Sequence, residues 1–458
     1  MTRDLGAIRS IETPVKRGSS PHGASLAHTA ALRGVADCKA MLLSIRPPAL
    51  LTICSLFLAG CAAAPRFQRP LPSVTAIRHP DFRQSISAVL GGSIVEGNRI
   101  VTLNNGAAIF PAMLGAIRNA RQTINFETFI FYDGDIPKQF ADALAERARA
   151  GVRVHVVLDA VGGNKSRALR QQMQAAGVEV AVYNSLFWWD LRRYNHRTHR
   201  KLLIVDGRIG FIGGVGIADE WAGNAASPKE WRDLHYRVEG PVVAQLQGTF
   251  LDNWLKTRGE VLQGPGYFPP LPRVGTAAAN VFFSSPRHQR FSVELMYHLA
   301  IASTQRSLRI TNAYFLPDRD LTKALVQAAR RGVDVQIIMP GEHIDQKAVR
   351  RASRKRWPEL LAAGIRLYEY EPTMIHTKLL IADDYFVSVG SANFDPRSLR
   401  INDEANLNVL DLDFARQQGR IFATDLRHSR PVNHEREPVK RTTELPAQTV
   451  QKPVESQL

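Results

Sequence analysis

The stretch His199-Arg200-Lys201-Leu202-Leu203-Ile204-Val205-Asp206 recurs as His376-Thr377-Lys378-Leu379-Leu380-Ile381-Ala382-Asp383. In each copy a histidine and a lysine two residues apart open an apolar run that an aspartate closes. A strand places residues i and i+2 on one face, so imidazole and ammonium project together while the aliphatic side chains anchor the strand. The parallel extends upstream. Before the first copy the spacing predicts a helix over 110–120, a strand over 123–131, a helix over 136–150, a strand over 152–159, a helix over 166–175 and a strand over 178–183. Before the second it predicts a helix over 291–303, a strand over 307–315, a helix over 320–330, a strand over 333–339, a helix over 345–362 and a strand over 364–370. Strands alternating with helices give an α/β fold. The duplication predicts two similar α-β-α sandwich halves packed about a pseudo-twofold axis.

The 458 residues suffice for two cores. The divisions expected are a head over 1–40 without domain pattern, a secretory signal over 41–60, a tether over 61–94, a first half over 95–262, a Gly/Pro linker over 263–278, a second half over 279–432 and a disordered tail over 433–458. The signal is one arginine, a short apolar run and a small-residue end, Leu58-Ala59-Gly60-Cys61, which is too short to span a bilayer. It resembles a bacterial lipobox. That resemblance implies lipidation of Cys61 and translation from Met41, and the Ala62 that follows permits outer-membrane sorting. The other cysteines, Cys38 and Cys54, precede the cleavage point, so an exported chain has no disulfide. Net charge is +17, and about +13 without the first sixty residues. A surface this basic favours an anionic partner, lipid or nucleic acid.

Two equivalent histidines suggest one site between the halves, in which one imidazole attacks an electrophile and the other protonates the leaving group. Two lysines supply fixed charge for the nonbridging oxygens of a phosphoryl group. No Asp/Glu/Cys cluster accompanies them, so neither metal nor cofactor is expected. After the second strand comes Gly390-Ser391-Ala392-Asn393, whose Ser391 and Asn393 are candidate phosphate ligands; the first half has Gly213-Gly214-Val215-Gly216, without a side-chain amide. Asp233 and Glu404 are candidates to fix the imidazole tautomers, with their assignment between the histidines open. Asp206 and Asp383 are counted with the catalytic set, chiefly to hold strand ends.

These motifs, with Trp231-Arg232-Asp233 and Ser391-Ala392-Asn393-Phe394-Asp395-Pro396-Arg397-Ser398, resemble the phospholipase D superfamily, and within it the bacterial cardiolipin synthases, over residues 95–430. The resemblance implies the phospholipase D fold. It implies His199 as nucleophile through a phosphatidyl-histidine, and His376 as acid and then base. Lys201, Lys378 and Asn393 would hold phosphate, and Asp233 and Glu404 would orient the histidines. The reaction implied moves a phosphatidyl group from one phospholipid, phosphatidylglycerol, to the headgroup hydroxyl of another with release of glycerol. Glu127 and Asn312, in comparable places of the first strand of each half, are possible supports. Phe187, Trp188 and Trp189 in a loop, and Arg350 and Arg354 on a basic helix face, are candidate bilayer or lipid contacts.

The partners expected are a phospholipid bilayer and anionic phospholipids, in the bacterial cell envelope, lipid-anchored and facing the periplasm. The rivals are a hydrolytic phospholipase D, a nucleic-acid phosphodiesterase and a non-catalytic membrane scaffold. Nucleic acid is disfavoured by the lipobox and the aromatic loop, and the scaffold by the filled catalytic positions.

Overall fold

The computed structural model describes residues 75–433, except 164, 185–194 and 289. The expectations for residues 1–74, including Cys61, for Phe187, Trp188 and Trp189, and for the tail beyond 433 lie outside the described residues. Helix α1 (Pro80–Leu90) comes first. The first half is then β1 (Val95–Asn104), α2 (Asn105–Arg118), β2 (Thr123–Thr128), α3 (Asp135–Arg149), β3 (Arg153–Asp159), α4 (Arg167–Ala175), β4 (Glu179–Tyr183), β5 (Leu202–Val205), β6 (Ile209–Gly213), β7 (Leu234–Glu239) and α5 (Val243–Arg258). The second half repeats it as β8 (Ala277–Ser284), α6 (Ser292–Ser303), β9 (Ser307–Asn312), α7 (Arg319–Arg330), β10 (Asp334–Pro340), α8 (Lys347–Arg354), α9 (Trp357–Ala362), β11 (Arg366–Tyr370), β12 (Lys378–Ala382), β13 (Phe386–Gly390), α10 (Pro396–Arg400), β14 (Glu404–Leu410) and α11 (Leu412–Arg427), with β15 (Ser429–Pro431) at the edge.

The strands run β15-β11-β10-β9-β12-β13-β14-β8-β1-β7-β6-β5-β2-β3-β4. The order is the same outward from the β8/β1 seam on both sides, apart from β15, which is the predicted pseudo-twofold arrangement. In each half three strands are parallel (β2, β3, β4; β9, β10, β11) and the strands carrying the motif form antiparallel pairs. Alternation along the motif strands divides two cores. Leu202 and Ile204 join Leu379 and Ile381 in a core shared by both halves, with Trp254 of α5 and Phe414 of α11. Leu203 and Val205 face α2 and α3 with Ile109, Phe140 and Leu144, and Leu380 and Ala382 face α6 and α7 with Val293 and Leu325. Strands covered on both faces are apolar throughout, and the histidine sits at the end of each, between the halves.

Three expectations need correction. The segment expected as a tether is folded from Ile77 onward: α1 buries Phe82, Ile86 and Leu90 in the second half's outer core, and Phe82 meets Phe386 edge-on at 5.6 Å. Pro, Arg and Ser around it hid an amphipathic turn pattern. The helix expected over 345–362 is two helices, because Pro358 cannot donate to a carbonyl one turn back and instead starts α9 in its first turn. The first strand of the second half begins at Ala277, two residues inside the expected linker.

Candidate active site

The segment before β5 does not pair within its own half. Thr198 bridges Asp403, with His199 N–H donating to Asp403 O at 2.8 Å and Asp403 N–H to Arg197 O at 2.9 Å. The second half mirrors this: Arg232 bridges Ile375, with His376 N–H donating to Arg232 O at 2.7 Å and Arg232 N–H to Met374 O at 2.9 Å. Each bridge delivers the next residue, a carboxylate, to the other half's histidine. His199 Nδ1 is 2.9 Å from Glu404 Oε2, and His376 Nδ1 is 2.9 Å from Asp233 Oδ2. The assignment left open by the sequence is therefore crossed. With Nδ1–H directed at a carboxylate, each Nε2 is left with its lone pair.

Both lysines turn back on their own motif. Lys201 Nζ donates to His199 O at 2.7 Å; Lys378 Nζ donates to His376 O at 2.5 Å and lies 2.9 and 3.0 Å from the two ring nitrogens. All of these groups are buried, and burial dominates their ionisation. It lowers His199 to about 4, against the pull of Glu404, and puts His376 well below its usual range, helped by Lys378 and Lys201. Burial also lowers Lys201 to about 7 and Lys378 to about 8. The carboxylates differ. Burial raises Asp233, whereas at Glu404 the same burial is overcome by His199, Lys201 and the Ser391 hydroxyl, which hold it low.

The surroundings are unequal too. Glu404 accepts from Ser391 Oγ at 2.5 Å and from Ser398 Oγ at 2.7 Å. Ser391, expected to bind phosphate, is thus spent on the carboxylate. Asp233 receives Trp221 Nε1 at 2.9 Å and its own neighbour's Leu234 N–H at 2.8 Å. A Cβ at Gly214, the counterpart of Ser391, would stand 2.4 Å from Asp233 Oδ1, and one at Gly216, the counterpart of Asn393, would stand 2.9 Å from Ile130 Cβ and 3.1 Å from the Trp221 ring. Ile130 and the Trp221 ring together fill the space that an asparagine would need in the first half. Asn393 lines the cavity and its Oδ1 is buried with no protein partner among the described residues.

The two histidines open into a cavity of about 420 Å³ shared by both halves, where Lys201 and Asn393 also reach the wall. Sequence reasoning missed several of its members. Phe129 packs on His199 at 5.3 Å, and Trp221 and Trp231 pack on His376 at 5.2 and 5.4 Å. Arg197 and Arg397 line the His199 end and Tyr314 the His376 end. Arg197 stands two residues before His199, so the same-face rule could have found it; nothing local marks Trp221. Among the described residues no group of three or more His, Cys, Asp or Glu is placed to hold a metal, and no helix is long and apolar enough to cross a membrane.

Two further expectations change. Asp206 and Asp383 stand at the far ends of their strands from the histidines and touch no reacting position. Each carboxylate accepts three successive backbone N–H groups, of Arg121, Gln122 and Thr123 and of Gln305, Arg306 and Ser307, at 2.7–3.2 Å. Asp383→Ala strands three donors and should cost roughly 3 kcal/mol of stability, read as a lowered midpoint in urea, with KM unchanged. Glu127 and Asn312 are not equivalent: Glu127 registers with Leu202 but Asn312 with Lys378, one residue apart. Glu127 holds Thr198 at 2.5 Å and Asn253 at 2.7 Å, and Asn312 Oδ1 holds the loop at Phe394 N at 3.0 Å. Arg350 pairs with buried Glu369 at 2.6 Å and Arg354 lies 5.5 Å over the Trp357 ring, contacts that do not bear on the lipid role expected of them.

Paired imidazoles oriented by carboxylates, each with a lysine folded back on its own motif, define an enzyme site for phosphoryl chemistry. Residues 113–223 and 298–426, one segment in each half, match the family described as "Cardiolipin synthase, PLD-like domain". The chain is 35% identical over 342 residues to a cardiolipin synthase of Geobacillus kaustophilus, covering 74% of this chain and 68% of that one. It is 34% identical over 345 residues to cardiolipin synthase A of Pseudomonas putida, covering 74% and 70%. It thus spans about two thirds of the length of these relatives. The solved structure of phosphatidylserine synthase from Haemophilus influenzae shares the fold, with TM-score 0.61 and 14% identity over 78% of this chain and 93% of that one. The chain belongs to the phospholipase D superfamily, in the family of cardiolipin synthase PLD-like domains.

Proposed function

We propose that the chain is a cardiolipin synthase-like phosphatidyltransferase working through a covalent phosphatidyl-histidine. The observation that carries this reading is the crossing of the two dyads, His199 with Glu404 and His376 with Asp233, in one cavity. The dyads are electrostatically unlike. Glu404 stays ionised and favours an imidazole ready to attack, so His199 is the nucleophile; Asp233 retains protons more readily, which suits the pair that handles the leaving group's proton. His199 Nε2 bonds to phosphorus as the bond to the leaving alcohol breaks, and His376 gives the departing oxygen its proton. His376, neutral in the free site, takes up a proton at Nε2 as the negative phosphodiester binds, and that is the proton it gives to the leaving oxygen, while His199 keeps its lone pair. Lys201 supplies positive charge and Asn393 a neutral amide N–H to the nonbridging oxygens from the cavity wall, and Lys378 adds positive charge from beside His376. In the second step the headgroup hydroxyl of another lipid passes its proton to His376 and attacks phosphorus, and His199 departs.

With phosphatidylglycerol as donor and acceptor, the products are cardiolipin and glycerol. The names of the relatives and the basic charge support an anionic phospholipid substrate. The Leu-Ala-Gly-Cys sequence supports lipid anchoring at Cys61 in the bacterial cell envelope, facing the periplasm. Mass spectrometry of products from detergent-solubilised protein and phosphatidylglycerol, against His199→Ala, tests the reaction. Cardiolipin with free glycerol, absent from the control, is expected. Phosphatidic acid alone would make the protein a hydrolase, and turnover only of nucleic-acid phosphodiesters would replace the lipid reading.

The pH dependence follows from the lysines. Raising pH through about 7 to 8 removes the charge of Lys201 and Lys378 in the free site, while a phosphodiester keeps its single negative charge. kcat/KM, which reports the free enzyme, should therefore fall as pH rises through that window. A kcat/KM flat to pH 9 would contradict it.

A further inference from the structure

The residue before each catalytic carboxylate is charged, buried and paired across the halves, and the two pairs have opposite polarity. Arg232, before Asp233, donates Nε to Asp425 Oδ1 at 3.0 Å and Nη2 to Asp425 Oδ2 at 3.2 Å. Asp403, before Glu404, accepts from Lys256 Nζ at 3.0 Å, with Tyr183 Oη at 2.9 Å on the same oxygen. Asp425 and Lys256 hold equivalent places: each is the third residue from the end of a sixteen-residue helix, α11 and α5, that follows the last strand of its half. Arg232, Asp403 and Asp425 are at most 6% exposed. The same two residues, Arg232 and Asp403, make both backbone hydrogen bonds that carry His376 and His199.

We propose that these are latches of reversed polarity: each positions one histidine against its carboxylate, and together they allow the first half to pair only with the second. A buried ion pair adds little net stability but strongly penalises a wrong partner. A first half packed on a copy of itself would set Arg232 against Lys256. A second half on its own copy would set Asp403 against Asp425. Either arrangement buries like charges together, so a first half is accepted only by a second half. Arg232 and Asp403 act through the backbone of the bridges and are positioning residues.

The test reverses one latch in the full chain. Arg232→Asp alone leaves two carboxylates facing each other and should lower kcat about a hundredfold through a displaced His376. Adding Asp425→Lys recreates the arrangement already present at Asp403 and Lys256, and should return kcat to within about tenfold of the original. The proposal rests on the crossed dyads of the proposed function, but a second arm needs no substrate. In Arg232→Asp/Asp425→Lys both latches have the carboxylate on the strand and the ammonium on the helix, so self-pairing is no longer repelled. Refolded at high concentration and separated by size, this variant should give more exchanged dimer than the unmodified chain. If Arg232→Asp does not fold, folding and turnover of the double variant still answer the question. A double variant no better than the single one would overturn the positioning role, and equal dimer fractions would overturn the pairing role.

Discussion

His199→Ala lowers turnover by at least about 10⁴-fold, the scale set by losing a residue that forms the covalent intermediate. The ring is held on three sides: Glu404 at Nδ1, the Asp403 carbonyl at its backbone N–H, and Phe129 against its face. No other imidazole can take its place, because His376 is anchored in the same way to Asp233 and to the carbonyl of Arg232. The fold should be unaffected, since the apolar residues that secure β5 begin at Leu202. Equal near-ultraviolet spectra with a turnover loss below about tenfold would remove His199 from the nucleophile's role.

Glu404→Gln is expected to lower kcat by about 10³- to 10⁴-fold with KM nearly unchanged, as when a neutral amide replaces the acid that fixes an imidazole's tautomer. The substitution is isosteric, and the hydroxyls of Ser391 and Ser398 remain to anchor the amide. What it removes is the negative charge that stabilises a histidine becoming cationic as it bonds to phosphorus. Asp233→Asn should be comparably severe on a lipid substrate, but for a different reason. Its dyad protonates the leaving alcohol, so the defect should shrink when the leaving group is p-nitrophenol, which departs without a proton. Glu404→Gln should show no such relief. Equal relief in both variants would mean that the roles of the dyads are not divided as described.

The repeated His-x-Lys strand made the doubled α/β fold legible, because a period of two and an apolar run are local properties. The crossing of the acids was not legible. Asp233 and Glu404 could be recognised as candidates, but their partners are set by bridges between the halves, over a sequence separation of 143 and 205 residues. Ser391 misled for a related reason: its turn resembles a phosphate cradle, and only the returning β14 shows that Glu404 claims its hydroxyl. Asp206 and Asp383 lie in the motif for the sake of the turns before β2 and β9, a role that their position at a strand's end does suggest. The absence of an asparagine at Gly216 was visible, but not what fills its place, the Ile130 side chain brought in from the strand region far upstream and the ring of nearby Trp221.

The covalent step is the centre of the account, and one experiment addresses it directly. His376→Ala, mixed with the p-nitrophenyl ester of a phosphatidic acid, should complete the first displacement without needing an acid and then stall without a base for the acceptor. Neutral quenching and mass measurement of proteolytic fragments should find a single phosphatidyl group on the fragment containing His199, matched by a burst of p-nitrophenol. A burst with no adduct, or an adduct on a fragment lacking His199, would contradict the mechanism.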